Sequence, residues 1–135
     1  MNVQMGDLIP EWDMPRVDPA RMRTMAAILR DPYPVHWDRK ANERIGLGGR
    51  VVNQGPLNLG YIVNMLHAWA GPTSVRRLTE AFGSPVLDED HVTAKGRVSE
   101  LVEVDGERRA VCEVWLERDG KAIVTGSAVV AVPQD

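Results

Sequence analysis

The chain has 135 residues, of which 44 % are hydrophobic and 26 % charged, with a formal net charge of -3. That is the size and balance of one globular domain with one core, and residues 1-135 are expected to form it. The slight acidity and the lack of a basic run with interleaved aromatics exclude nucleic acid as an expected partner. Cys112, the single cysteine, excludes an intrachain disulfide, and no Cys/His cluster has zinc spacing, so no metal site is expected. The stretch from Met1 to Asp7 lacks a basic region followed by a long apolar core. No signal peptide is therefore expected, and a cytoplasmic location is.

Residues 7 to 16 carry Leu8, Ile9, Trp12 and Met14 together with Pro10 and Pro15, which predicts a short edge strand. Asp18-Pro19 then offers a capping acceptor followed by proline at the first helical position. Met22, Met25, Ala26 and Leu29 give the ensuing helix an apolar face. The next stretch, Asp31-Pro32-Tyr33-Pro34-Val35-His36-Trp37-Asp38, is too rich in proline for a regular helix and reads as a stiff loop. Asp38 is expected to cap a short helix containing Ala41 and Ile45, closed by Gly46-Leu47-Gly48-Gly49.

Gly55 to Gly71, with Pro56 near its start and Pro72 beyond its end, has the punctuation of a helix over Pro56 to Ala70. Its only interior polar residues are Asn58, Asn64 and His67, so a single apolar stripe does not describe it, and it is expected to be buried on most sides. At 1.5 Å per residue it would run about 22 Å. It is too short and too polar for a membrane span of about 20 apolar residues, so protein must wrap it and no membrane partner is expected.

Strand chemistry follows. Ser74 to Val86 reads as a strand broken by Gly83 and Pro85. Val92, Ala94, Gly96 and Val98 alternate with polar residues, and Ala110, Cys112, Val114 and Leu116 do the same. Asp105-Gly106 and Asp119-Gly120 mark tight turns, and Val124 to Val132 completes an antiparallel meander. Small residues at Ala94, Gly96, Ala110, Cys112, Gly126 and Ala128 would let a helix lie close to one face. Trp115, Ile123 and Val129 are expected on the other. The predicted fold class is α+β: one long central helix wrapped by a curved antiparallel sheet, the hot-dog arrangement.

The loop Asp31-Pro32-Tyr33-Pro34-Val35-His36 resembles the Asp-x-Asn-Pro-x-His signature of the MaoC-like, (R)-specific enoyl-CoA hydratases and dehydratases. Asp38, Ala41, Gly46 and the Val52-Asn53-Gln54-Gly55 junction continue the resemblance. Within the family, that junction and Ala68-Trp69-Ala70-Gly71-Pro72 are most similar to small subunits of bacterial steroid side-chain hydratases. The chain departs from the pattern at Tyr33, where the family has asparagine, and at Asn53-Gln54, where it has histidine before the glycine.

The resemblance implies reversible hydration of a trans-2-enoyl-CoA, with Asp31 and His36 as the acid–base pair and coenzyme A only as part of the substrate. It also implies a dimer, either two copies or one copy with a second MaoC-like subunit. The residues fit that chemistry. Hydration needs a water activated toward C3, a proton for C2 and donors for the enolate oxygen. Histidine with a nearby carboxylate suits the proton transfers. Gly55 permits close backbone approach at a helix N-terminus, and Pro56 has no N–H, so Gly55 is the expected donor. Asn53 and Tyr33 are candidate substrate contacts, with helix capping an equal reading for Asn53. Asp38 reads as a cap, and His67 and His91 as structural. Arg39, Lys40, Arg44 and Arg50 read as a solvated face rather than a phosphate site. A hot-dog thioesterase is the enzymatic alternative, disfavoured because the central helix carries no Asp or Glu. A non-catalytic subunit completing a partner's acyl tunnel is the other.

Overall fold

A computed structural model describes residues 1–134. The elements in chain order are β1 (Leu8–Met14), α1 (Pro19–Leu29), a 3-10 turn (Pro34–His36), α2 (Arg39–Arg44), α3 (Gly55–Ala70), β2 (Val75–Phe82), β3 (Val92–Val104), β4 (Glu107–Arg118) and β5 (Lys121–Ala131). The strands form one antiparallel sheet in the order β1-β3-β4-β5-β2. β3, β4 and β5 are the expected meander. Asp105-Gly106 and Asp119-Gly120 join them, all four residues at positive φ, as a two-residue hairpin turn demands. The strand after α3 ends at Phe82, before Gly83 and Pro85, and closes the far edge beside β5.

Proline sets the character of β1. Pro10 cannot donate to the ladder, and the register with β3 slips between Ile9 and Trp12, a bulge on an edge strand. A second irregularity overturns one expectation. Leu116 pairs with Val124 but Glu117 with Ala122, so Ile123 is left over on β5. The extra residue breaks the alternation, and Ile123, expected on the outer face, is buried beside Val124. Its carbonyl accepts from Gly83 and Ser84, fastening the end of β2.

α3 lies on the inner face, where Tyr61, Ile62, Met65 and Leu66 meet Ala94, Val98, Ala110, Cys112, Val114 and Ala128 in one core. The small residues act as expected at Gly96, where a Cβ would stand 2.8 Å from the Ile9 side chain and 3.2 Å from that of Met65. Gly126 differs. A Cβ there would come within 2.1 Å of the Thr79 carbonyl, so its smallness admits the β2 backbone rather than the helix. Burial of α3 is also one-sided within a protomer: Asn58 is buried with the apolar set, while Pro56, Asn64 and Ala68 are exposed and Leu59, Gly60, Val63 and His67 only half-buried. The expectation of burial on most sides therefore fails for the isolated chain. Among the described residues no helix is long and apolar enough to cross a membrane.

Candidate active site

The segment between α1 and α3 is folded on its own hydrogen bonds. Arg30 ends α1 in the left-handed conformation at φ 51°, and the Asp31 N–H returns to the Ala26 carbonyl at 2.9 Å. Asp31 Oδ1 then accepts the Tyr33 N–H at 3.1 Å, a local turn that presents the other carboxylate oxygen away from the backbone. The two prolines deliver the chain into the 3-10 turn, and the Trp37 indole N–H donates to the Pro32 carbonyl at 2.9 Å across it. Asp38 caps α2 as expected, accepting from Ala41 at 3.1 Å. Buried Asn42 donates to the Val35 and Arg50 carbonyls and so joins α2 to the strand-like stretch before α3.

His36 and Asp31 meet at the centre of this framework. His36 Nδ1 donates to the Val52 carbonyl at 2.7 Å, because a carbonyl can only accept. In the neutral ring that assigns the proton to Nδ1 and leaves Nε2 a free base. Nε2 faces Asp31 Oδ2 at 3.9 Å. That gap is too long for a direct hydrogen bond and matches one water held by both groups. His36 is largely buried (14 % of its side chain exposed) and Asp31 partly open (43 %), so the pair sits at a boundary between core and solvent.

A cavity of about 450 Å³ opens beside His36, walled by Val52, Asn53, Gly55 and Asn58 on one side and by Phe82 to Val86 on the other. Gly55 lies against the opposite wall: a Cβ there would stand 3.0 Å from the Phe82 ring. The Leu57 and Asn58 N–H groups both go to the Gln54 carbonyl, and Pro56 has none. The Gly55 N–H has no acceptor among the described residues, so it is available at the positive end of α3. No side chain caps this helix, and Asn53 does not. Its carboxamide donates instead to Asn58 and to Tyr61, whose hydroxyl burial holds above its ordinary range despite that bond. Tyr33 is 62 % exposed and turns its ring edge-on to His36, 6.1 Å between centroids, rather than lining the cavity.

The structure thus brings His36, Asn53 and Gly55 around one space, with Asp31 outside its lining but 3.9 Å from His36, and leaves Tyr33 out of the wall. Sequence reasoning missed Phe82 and the loop to Val86, which form the opposite wall. It also passed over Asp88 and Asp90. Asp88 accepts the Val51 N–H at 2.8 Å and Arg39 at 3.0 Å, while Arg50 bonds the Asp88 carbonyl and Asp90. Burial pushes the Asp90 carboxyl up, but the Leu87 N–H with Arg50 and Arg118 brings it below its ordinary value. Arg39 and Arg50 are therefore committed to anchoring the stretch that carries Val52, not free for a phosphate. His67 is only half-buried on α3, and His91 pairs with Asp13 at 2.6 Å on the surface.

A single long helix laid on an antiparallel sheet, with a polar site where the helix begins, defines a hot-dog fold protein. The MaoC-like domain model matches residues 10–118, and the chain belongs to that family. Among solved structures it is similar to the (R)-hydratase from A. caviae involved in PHA biosynthesis, at 25 % identity and a TM-score of 0.84, over 97 % of this chain and 98 % of that one. It is also similar in fold to a chain of the ChsH1-ChsH2 complex from Mycobacterium tuberculosis (24 %, TM-score 0.80, 98 % and 100 % covered). A third is a chain of the C-terminally truncated HadBC 3R-hydroxyacyl-ACP dehydratase complex from Mycobacterium tuberculosis (16 %, TM-score 0.70, 93 % and 95 % covered). No curated protein matches the sequence closely enough to count as a relative.

Proposed function

We propose that the protein hydrates trans-2-enoyl-CoA thioesters to 3-hydroxyacyl-CoA and runs the reverse dehydration. The observation that carries this reading is the His36–Asp31 pair, with Nδ1 tied to the Val52 carbonyl and Nε2 held 3.9 Å from the carboxylate. Family membership and the similarity to an (R)-hydratase support it. A water between the two groups adds its oxygen to C3, and one member of the pair takes its proton. The electron pair of the double bond passes to the thioester oxygen, where the Gly55 N–H stabilises the enolate. That same member returns the proton to C2 as the enolate collapses, so the pair ends with the protons it began with. No cofactor enters this scheme beyond the coenzyme A of the substrate.

The site is tested by following the enoyl-thioester absorbance with His36→Ala and Asp31→Asn. Each is expected to lower kcat by about 10²–10⁴-fold with a smaller change in KM. The double variant is expected to lose little more than the worse single one, since the residues act as a unit. Folded variants that hydrate at the wild-type rate would refute the assignment.

Assembly is part of the same reading. β2 is an edge strand with one side unpaired, and Phe82 at its end is 59 % exposed beside the cavity. The half-buried flank of α3 adds apolar surface. A second MaoC-like subunit, identical or homologous, fits that edge, and the neighbours from two-component complexes support the homologous form. A fully active species with the mass of one chain in light scattering would rule this out.

A further inference from the structure

Phe82 ends β2 on the strand face that also carries Leu78 and Glu80. Leu78 packs against the core and the Glu80 carboxylate is closed off from solvent, yet Phe82 is 59 % exposed. Its ring nevertheless holds a definite place. A Cβ built on Gly55 would stand 3.0 Å from Cζ and 3.5 and 3.6 Å from the two Cε atoms, so the ring meets Gly55 tip first. The backbone just beyond the ring is pinned. The Gly83 and Ser84 N–H groups both donate to the Ile123 carbonyl, at 3.0 and 3.2 Å, and a Cβ on Gly83 would press on that carbonyl at 3.0 Å. Strand end and helix start are therefore fixed, and the ring moves only by turning about its own side-chain bonds. Phe82 and Gly55 share the cavity wall with His36.

We propose that Phe82 is a further substrate-contacting residue of this site: its ring swings off Gly55 as the enoyl thioester enters and then packs on the first acyl carbons. This rests on the hydratase reading above. That reading sets the thioester oxygen on the Gly55 N–H, so ring and thioester compete for one small space. A ring so exposed loses little packing when it turns aside. Closed against the substrate, it gains apolar cover that strand and helix do not give it. The acyl carbons supply that cover, because the coenzyme A arm beyond the sulfur carries amides and phosphates that keep to water. The closed ring also displaces water from beside the forming enolate, where the Gly55 donor then acts more strongly.

Phe82 is the only phenylalanine in the chain, so incorporation of 3-fluorophenylalanine labels this ring alone. The fluorine resonance is expected to move when butyryl-CoA or octanoyl-CoA binds, both saturated thioesters that cannot be hydrated, and to stay in place with free coenzyme A. A signal that stays put while calorimetry shows the thioester bound, or that moves equally with free coenzyme A, overturns the proposal. So does failure of both thioesters to bind. In turnover of crotonyl-CoA and trans-2-octenoyl-CoA, Phe82→Ala is expected to lower kcat/KM by about 10–10²-fold, the effect of withdrawing one large apolar side chain from contact. The loss is expected to be equal on the two substrates, because the contact is with their shared first carbons. Phe82→Tyr keeps the ring and is expected to restore most of the wild-type rate, which a role in folding alone would not single out. A loss confined to octenoyl-CoA, or folded Phe82→Ala at the wild-type rate, overturns the proposal and leaves the hydratase reading standing. A wild-type protein that hydrates neither substrate refutes the hydratase reading instead, and the fluorine signal then decides the ring's contact by itself.

Discussion

Glu80 lies on β2 opposite Gly126 of β5, and both of its carboxylate oxygens are closed off from solvent with no hydrogen-bond partner in the described chain. Burial without a donor raises its pKa to about 7, from an ordinary value of 4.5. The folded state therefore holds this proton more tightly than the unfolded chain does. Its contribution to stability is fully present below about pH 4.5, declines as pH rises toward 7 and is flat above, the reverse of a salt-bridged carboxylate. A displacement of that size corresponds to about 3 kcal/mol at most, and partial exposure of the residue brings the expected cost at pH 8 to about 1–3 kcal/mol. Glu80→Gln keeps the shape and removes the charge. Relative to wild type it is expected to gain about 1–2 kcal/mol between pH 4.5 and pH 8, an increase of roughly 3–8 °C in Tm for a chain of this length. Urea titrations of both proteins at the two pH values measure the double difference. Groups that titrate alike in both cancel, including Glu107, which Arg76 and Arg109 hold down at about 2. A variant whose stability differs from wild type by the same amount at both pH values would refute the argument.

Two glycine substitutions separate packing from chemistry. Gly126→Ala drives a Cβ to within 2.1 Å of the Thr79 carbonyl, where only a shift of the β2 backbone relieves it. Its expected cost is about 3 kcal/mol in chemical denaturation, with weakened pairing of β2 to β5 seen as faster amide exchange along β2. Gly55→Ala meets only the Phe82 ring, at 3.0 Å, and that ring is exposed enough to yield. Stability should change by less than about 1 kcal/mol, while the methyl group beside the proposed thioester position should lower kcat/KM by about 10-fold or more. Unchanged turnover in folded Gly55→Ala would remove Gly55 from the site.

The local elements were legible because their signals are local. Asp18-Pro19, Asp38, Pro56 and Gly71-Pro72 punctuate helices through caps and missing donors that act within one turn. The Asp-Gly pairs specify hairpins because their positive φ sets the strand twist. The Asp31–His36 pairing was legible too, since six residues stiffened by two prolines leave little freedom in how the side chains meet. What the sequence left open depends on partners distant along the chain. Ile123 turns inward because a bulge opposite Glu117 shifts the alternation, and no period-two count reports where a ladder slips. Gly126 reads like Gly96 in a list of small residues, yet one meets a strand backbone and the other a helix side chain. Phe82 faces Gly55, Asp88 holds Val51, and Asn53 bonds Tyr61 only after β2 and the loop beyond it fold back over the start of α3. Periodicity and capping thus determined which segments are helix or strand, and the resemblance to the family signature which loop brings Asp31 to His36. Tertiary packing alone decided what walls the cavity, which arginines are committed to ion pairs, and which buried polar atoms are left without a partner, because each of those is a contact between residues that the sequence keeps apart.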